Sequence, residues 1–292
     1  MLRVSSLLVV AAAHWPESRG PWFGDLGDLP SILGLATSKL SASTRMGACT
    51  LISKSTICDD TGRGEPVQRL VFQPSVGNCM NINTALRQVV MVRGRMYSPT
   101  PCRVDNTFDL IIRVYRNGTV SRWLDSVTPG TAVELTPFPP KLPANRRNPG
   151  PRVGLVAYGV GITELYWTAV EELKDPKVEQ VVLLYATRTL DEQAVYGPEL
   201  DELAQKEPRF RLVRLLSREC SPVALSGRVN ATLLSDVFPW SHEQWRSTAR
   251  FTAAGSKEMM TATYEWLAEL GYPPDSSKLI RDLSFASFFG SR

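Results

Sequence analysis

The chain has almost no histidine. Only His14 and His242 occur in 292 residues, and His14 falls in a leader-like segment, so chemistry built on imidazole has one candidate. His242 follows Pro239-Trp240-Ser241, where Ser241 can cap a helix, and it reads as a surface helix position. Cysteine is sparse and unpatterned. Cys49, Cys58, Cys79, Cys102 and Cys220 are odd in number and contain no Cys-x-x-Cys. That argues against a zinc ribbon, an iron–sulfur cluster or a complete disulfide framework, and reduced thiols are the expectation. No Lys/Arg-rich run occurs, and a net charge of +4 is short of a nucleic-acid-binding profile. A basic face would still attract an acidic protein partner. No apolar stretch reaches the roughly 20 residues of a membrane helix. Internal repeats, long low-complexity tracts and Ser-His-Asp or Cys-His arrangements are absent as well.

What is present fits a soluble globular protein: 43% hydrophobic and 21% charged residues, at a length that allows two domains with full cores. Residues 1–20 read as a targeting leader. Arg3 precedes Ser5-Ser6 and the apolar run Leu7 to Ala13, and no acid appears before Glu17. Such leaders suggest mitochondrial import; a short secretory signal fits nearly as well. The odd cysteine count favours a reducing compartment. Any membrane association is left to this leader. Residues 21–44, rich in Gly, Pro and Ser, read as a loose lead-in.

Residues 45–140 carry short β-like runs: Cys49–Ser53, Val67–Gln73, Gln88–Val92, Phe108–Tyr115 and Thr131–Leu135. Several alternate apolar and polar residues between turn clusters, which predicts a small antiparallel β-barrel or sandwich. Six prolines within residues 136–151 mark a break. From there to residue 292 the rhythm is strand and helix in turn. Strands are expected at Arg152–Tyr158, Val178–Tyr185, Phe210–Leu216 and Arg250–Ala254, and helices at Glu164–Leu173, Pro198–Lys206 and Lys257–Leu270. This predicts βαβ units and a doubly wound parallel sheet, with ligands beyond the C-terminal strand ends.

Arg95-Met96-Tyr97-Ser98-Pro99 puts an arginine, an aromatic and a hydroxyl on one short strand. Tyr97 can lie against a flat ring, Ser98 can donate to a ring nitrogen and Arg95 can pair with a diphosphate. Gly118-Thr119-Val120-Ser121 then opens an amphipathic run, Arg122 to Val127, whose first N–H groups can hold the same diphosphate. Gly159-Val160-Gly161-Ile162-Thr163 follows a strand and precedes a helix, where glycine permits close approach of a nucleotide.

In this order, the motifs make the chain resemble the ferredoxin–NADP reductase superfamily, and within it the NADH–cytochrome b5 reductase branch. The resemblance implies an antiparallel β-barrel flavin domain followed by an α/β nucleotide domain. FAD would be held by Arg95, Tyr97, Ser98, Val114, Tyr115, Gly118, Val120 and Ser121. NADH or NADPH would lie near Gly159, Gly161, Arg188 and Gly255, and Ser98 and Thr163 would flank the reacting flavin atom. Arg188, with Tyr196 beyond it, would meet the adenosine ribose, an arginine there favouring NADPH. Asp191-Glu192-Gln193 and Gly197-Pro198-Glu199-Leu200 look more like the NADH-using branch, and the choice stays open. Cytochrome b5 or another acidic electron acceptor is the implied partner.

Three positions depart from the family pattern. Glu164 stands where proline is usual, and Ala254 and Ser256 flank Gly255 where cysteine and proline are usual. The Pro-Gly-Gln before the flavin strand is also missing, its place taken by the polar stretch from Val76 to Ala85. These departures leave open a catalytically weakened or inactive flavin-fold subunit of a larger assembly. Phe285, Phe288 and Phe289 form an aromatic tail expected to dock on the core.

Overall fold

The computed structural model describes residues 47–59, 65–75, 77, 89–137, 150–240 and 248–272. Contacts divide the chain into Met1–Ser43 and Thr44–Arg292, and all described residues belong to the second unit. The leader, the lead-in, His14, Cys79, His242, the Val76–Ala85 stretch but for Gly77, most of the proline-rich break and the terminal phenylalanines lie outside the described residues.

The first half is antiparallel. Strands β1 (Ala48–Cys58), β2 (Val67–Pro74), β3 (Val90–Val92), β4 (Arg95–Tyr97), β5 (Phe108–Arg113), β6 (Ala132–Glu134) and β7 (Thr136–Pro137) form two sheets, ordered β5-β2-β1-β6 and β4-β3-β7. Inward residues Leu51, Leu70, Phe72, Phe108, Leu110 and Ile112 share one apolar core with Leu124 of helix α1 (Thr119–Ser126). Alternation supplies these residues, since every second side chain faces the same side.

The second half is parallel. Strands β8 (Arg152–Tyr158), β9 (Gln180–Thr187), β10 (Phe210–Leu216), β11 (Leu225–Ser226) and β12 (Ala249–Ala254) lie in the order β11-β10-β9-β8-β12. Between and after them run α2 (Ile162–Leu173), α3 (Gly197–Lys206), α4 (Ala231–Val237) and α5 (Lys257–Glu269). The two strand faces feed separate cores: Val153, Leu155 and Leu183 on one side, Val156, Val182 and Leu184 on the other. Strand order reverses between β8 and β12, which is where such sheets open a ligand crevice.

The halves share one of these cores. Cys58 and Val67 of the barrel are buried with Leu155, Leu183 and Tyr185 of the parallel sheet, and Ile111 packs against them. This corresponds to the expected barrel-then-α/β architecture.

The thiols differ from expectation. Cys49, Cys58 and Cys220 are free, but Cys102 is disulfide-bonded. An odd count leaves room for a single bridge, and the missing Cys-x-x-Cys bears only on close spacings. Burial pushes the Cys49 thiol up to about 11, so it stays protonated at neutral pH.

Candidate functional site

Arg95 and Tyr97 owe their placement to a tight hairpin. Arg93 and Gly94, both at positive φ (47° and 79°), join β3 to β4, the geometry a two-residue turn needs to match strand twist. Val92 pairs with Arg95 and Val90 with Tyr97. Two residues apart, Arg95 and Tyr97 point to one face. Ser98 follows, and Pro99 bridges to Leu110 of β5, which brings the motif beside the next candidate strand. Tyr97 is half-buried against the barrel core. Burial pushes its phenol up to about 12, with Arg95 pulling it down and Tyr115 pushing it up. Arg95, Tyr97 and Tyr115 are therefore electrostatic neighbours.

The chain leaves β5 through buried Val114 and half-exposed Tyr115. The Tyr115 N–H donates to Ser121 Oγ at 3.2 Å, and the Gly118 N–H to Tyr115 O at 2.8 Å. A Cβ on Gly118 would stand 2.3 Å from Ser121 Oγ and 3.0 Å from Tyr115 Cβ, so a side chain here would push the Ser121 hydroxyl off the Tyr115 N–H. Val120 packs onto the barrel core. Gly118 caps α1 without a side-chain bond, and the first turn holds no acid. The helix start therefore keeps its donors and its positive end for an anion.

At the switch point, β8 ends at Tyr158 and the chain makes a single turn, Gly159–Gly161, before α2. Gly159 has φ +52°, and a Cβ there would lie 3.8 Å from Arg113 Nη2. The nucleotide-side turn therefore lies beside the strand that leads to Val114 and Tyr115. A Cβ on Gly161 would meet Ala254 O at 2.3 Å, and one on Gly255 would meet Tyr158 Cβ at 2.7 Å. Gly161 and Gly255 thus sit where a side chain would collide with Ala254 and Tyr158, and Gly159 is favoured by its positive φ. Thr163 is buried, and its hydroxyl donates to Val160 O at 2.9 Å, a local turn bond.

The departing residues have structural tasks. Ser256 caps α5 by accepting from the Met259 N–H at 3.3 Å. Glu164 sits in the first turn of α2, where a carboxylate suits the helix dipole. Ala254 is buried in the core shared by both halves.

Arg188 and Tyr196 are committed elsewhere than expected. Arg188 Nε donates to Glu192 Oε1 at 2.6 Å, and its Nη1 lies 3.5 Å from Glu65 Oε2. One face of Tyr196 is covered by Tyr166, with centroids 4.6 Å apart, and its hydroxyl accepts from Trp167 Nε1 at 3.2 Å. Neither is set out as an open ribose or adenine contact. Sequence reading missed Glu65, Arg113 and Glu192. Only the i,i+4 spacing of Arg188 and Glu192 was available as a signal.

A family model described as oxidoreductase FAD-binding domain matches residues 48–137, and one described as oxidoreductase NAD-binding domain matches residues 155–265. The chain belongs to the ferredoxin–NADP reductase superfamily. Within this superfamily it is cytochrome b5 reductase-like. NADH-cytochrome b5 reductase 1 of Dictyostelium discoideum is 32% identical over 141 residues, 46% of this chain and 47% of the relative. The protein of the same name from Cryptococcus neoformans is 26% identical over 200 residues, 65% of this chain and 67% of the relative. The chain thus spans about half to two thirds of these curated relatives. The cytochrome b5 reductase domain of Ulva prolifera nitrate reductase shares the fold, with TM-score 0.62 and 20% identity over 78% of this chain and 94% of that one. The cofactors of such reductases are FAD and NADH or NADPH. The residues present fit FAD: an arginine and an aromatic on one strand face, and an uncapped, acid-free helix start after a glycine turn.

Proposed function

We propose that this chain is an NAD(P)H-dependent flavoprotein reductase that passes electrons to a haem protein or other acceptor. The observation that carries the reading is the approach of the switch-point turn to the end of β5. The glycine turn at the sheet's switch point lies beside Arg113, whose Nη2 is 3.8 Å from where a Gly159 Cβ would stand, and Arg113 directly precedes Val114 and Tyr115. Bound FAD would supply the redox chemistry, acceptance of a hydride and release of single electrons. The protein supplies position. Arg95 and the N–H groups opening α1 hold the diphosphate, with Gly118, Val120 and Ser121 shaping that turn. Tyr97 would lie against the ring, Ser98 would donate to a ring nitrogen, and Val114 and Tyr115 would line the strand side. Gly159, Gly161 and Gly255 admit the nicotinamide, and Thr163 braces the turn through Val160. The partner is an acidic acceptor such as cytochrome b5, for which the relatives are named, drawn to the mildly basic chain.

The test is an absorbance spectrum of the purified protein, before and after anaerobic NADH or NADPH. A yellow protein whose visible flavin band bleaches is expected, and the faster nucleotide is the donor. A protein that takes up no FAD overturns the reading. A yellow protein that neither nucleotide bleaches supports instead a flavin-fold subunit without dehydrogenase activity.

Arg95→Ala is expected to weaken FAD retention roughly 10- to 100-fold, the loss of one charge-assisted contact. Flavin released on gel filtration reads this directly. Full flavin content at high dilution would remove Arg95 from the site.

A further inference from the structure

A network of charged side chains at the seam between the halves holds no cofactor in the reading above. Arg113, at the end of β5, and Glu192, on the single turn Asp191–Ala194, are both more than nine-tenths buried. Arg113 Nη2 lies 2.9 Å from Glu192 Oε2. The same carboxylate accepts from Arg188 Nε at 2.6 Å and from the Arg188 backbone N–H at 3.3 Å. Arg188 Nη1 reaches Glu65 Oε2 at 3.5 Å. Arg113 Nη1 completes the network by donating to Glu65 O at 3.2 Å. The barrel contributes Arg113 and Glu65, and the nucleotide half contributes Arg188 and Glu192. Each carboxylate is paired across the seam.

Glu192 is fixed from behind. The Tyr185 hydroxyl donates to Glu192 O at 3.2 Å, Gln193 Nε2 donates to Tyr185 O at 3.0 Å, and Arg214 Nη1 donates to Gln193 Oε1 at 2.8 Å. The turn is therefore tied to β9 and β10, and the Glu192 carboxylate cannot follow Arg113 if the halves shift. Arg113 is also the residue whose guanidinium sits 3.8 Å from the Cβ position of Gly159. The apolar core shared by the halves supplies adhesion without direction. A buried charge-assisted pair supplies register.

We propose that Glu192 is a positioning residue. It locks the nucleotide half onto the barrel through Arg113 and so sets the separation between the Gly159–Gly161 turn and the Val114–Tyr115 stretch. Its effect is on the rate of flavin reduction and not on the capture of either cofactor. This rests on the reductase reading above.

The experiment compares the FAD-loaded full chain with its Glu192→Gln variant, in which the side chain keeps its shape and loses its charge. Misalignment near an ångström costs about 100-fold in rate. Flavin reduction at saturating nucleotide is expected to fall roughly 10- to 100-fold, with FAD content and NAD+ dissociation constant at wild-type values. Without nucleotide, amide hydrogen exchange is expected to rise together in residues 108–116 and 187–196. A double variant, Glu192→Gln with Arg113→Gln, removes the unpaired charge; it is expected to recover melting temperature while reduction stays slow. An unchanged reduction rate overturns the proposal. So does a loss confined to nucleotide affinity with exchange unchanged, which would make Glu192 a ligand-binding residue. If neither nucleotide reduces the wild-type flavin, the reductase reading fails. The exchange comparison still decides whether Glu192 locks the seam.

Discussion

Gly161→Ala is expected to abolish most of the reductase activity while leaving the protein yellow. The added methyl would stand 2.3 Å from Ala254 O and 2.6 Å from Ala254 C. Both are backbone atoms at the end of β12, which pairs with β8 from Ala249–Arg152 to Ala254–Ala157. A side chain would swing aside; a paired strand cannot. The turn must therefore move away by something near an ångström, carrying Gly159 off the position it holds beside Arg113. Misplacement on that scale costs about 100-fold in rate, with about 1–3 kcal/mol of overpacking strain beside it. The three atoms nearest the new methyl all belong to Ala254 and none to Arg95, Tyr97 or the Gly118 turn, so FAD content should match the wild type. Stopped-flow reduction of the bound flavin reads the rate and thermal unfolding reads the strain. Wild-type reduction kinetics would show that this turn does not seat the nicotinamide.

Glu172→Ala is expected to cost the most stability. Arg250, on β12, is 7% exposed, and its Nη2 lies 2.6 Å from Glu172 Oε2 on α2. Its Nε donates to Gly150 O at 2.8 Å. Removing the carboxylate leaves a guanidinium in the interior with its charge uncompensated. Breaking such a pair costs about 3–5 kcal/mol, which lowers the melting temperature by roughly 6–20 °C for a body of this size. Replacing both residues by methionine should recover most of the loss, since well-packed apolar pairs commonly match buried ion pairs. Circular dichroism melts of the three proteins settle it. A single variant that melts with the wild type would mean that water reaches Arg250.

The alternation of apolar and polar residues made the barrel legible, and the change to buried strands divided by helical spacing made the parallel sheet legible. Strand β8 matches its sequence-read limits, Arg152–Tyr158. Strand β1 does not. It runs Ala48–Cys58, well past the expected Ser53, and its pairing with β2 shifts register after Leu51 and again after Thr56. Each shift breaks the two-residue rhythm on which the reading depended. Helix α4, Ala231–Val237, escaped for the opposite reason: it is too short to show a period, and its clearest signal is Asn230, which caps it through the Leu233 N–H.

At the site, the glycines were legible because turn chemistry is local. The roles of Arg113, Arg188 and Glu192 were not. What each side chain touches depends on how β5 and the Asp191–Ala194 turn meet in space, and nothing near them in sequence reports that. Arg188 shows the difference: as a loop arginine it suggested a phosphate contact, and in the fold two carboxylates already claim it.

The apolar core that crosses the seam bears on how this chain can be altered. Ile111, Cys58 and Val67 are covered by residues of the parallel sheet, so either half produced by itself would present a raw hydrophobic face to water. The halves are therefore poor cassettes for swapping with those of a relative. A chimera joined between them would inherit two surfaces shaped for different companions, and its first defect would be insolubility, ahead of any fault in its chemistry.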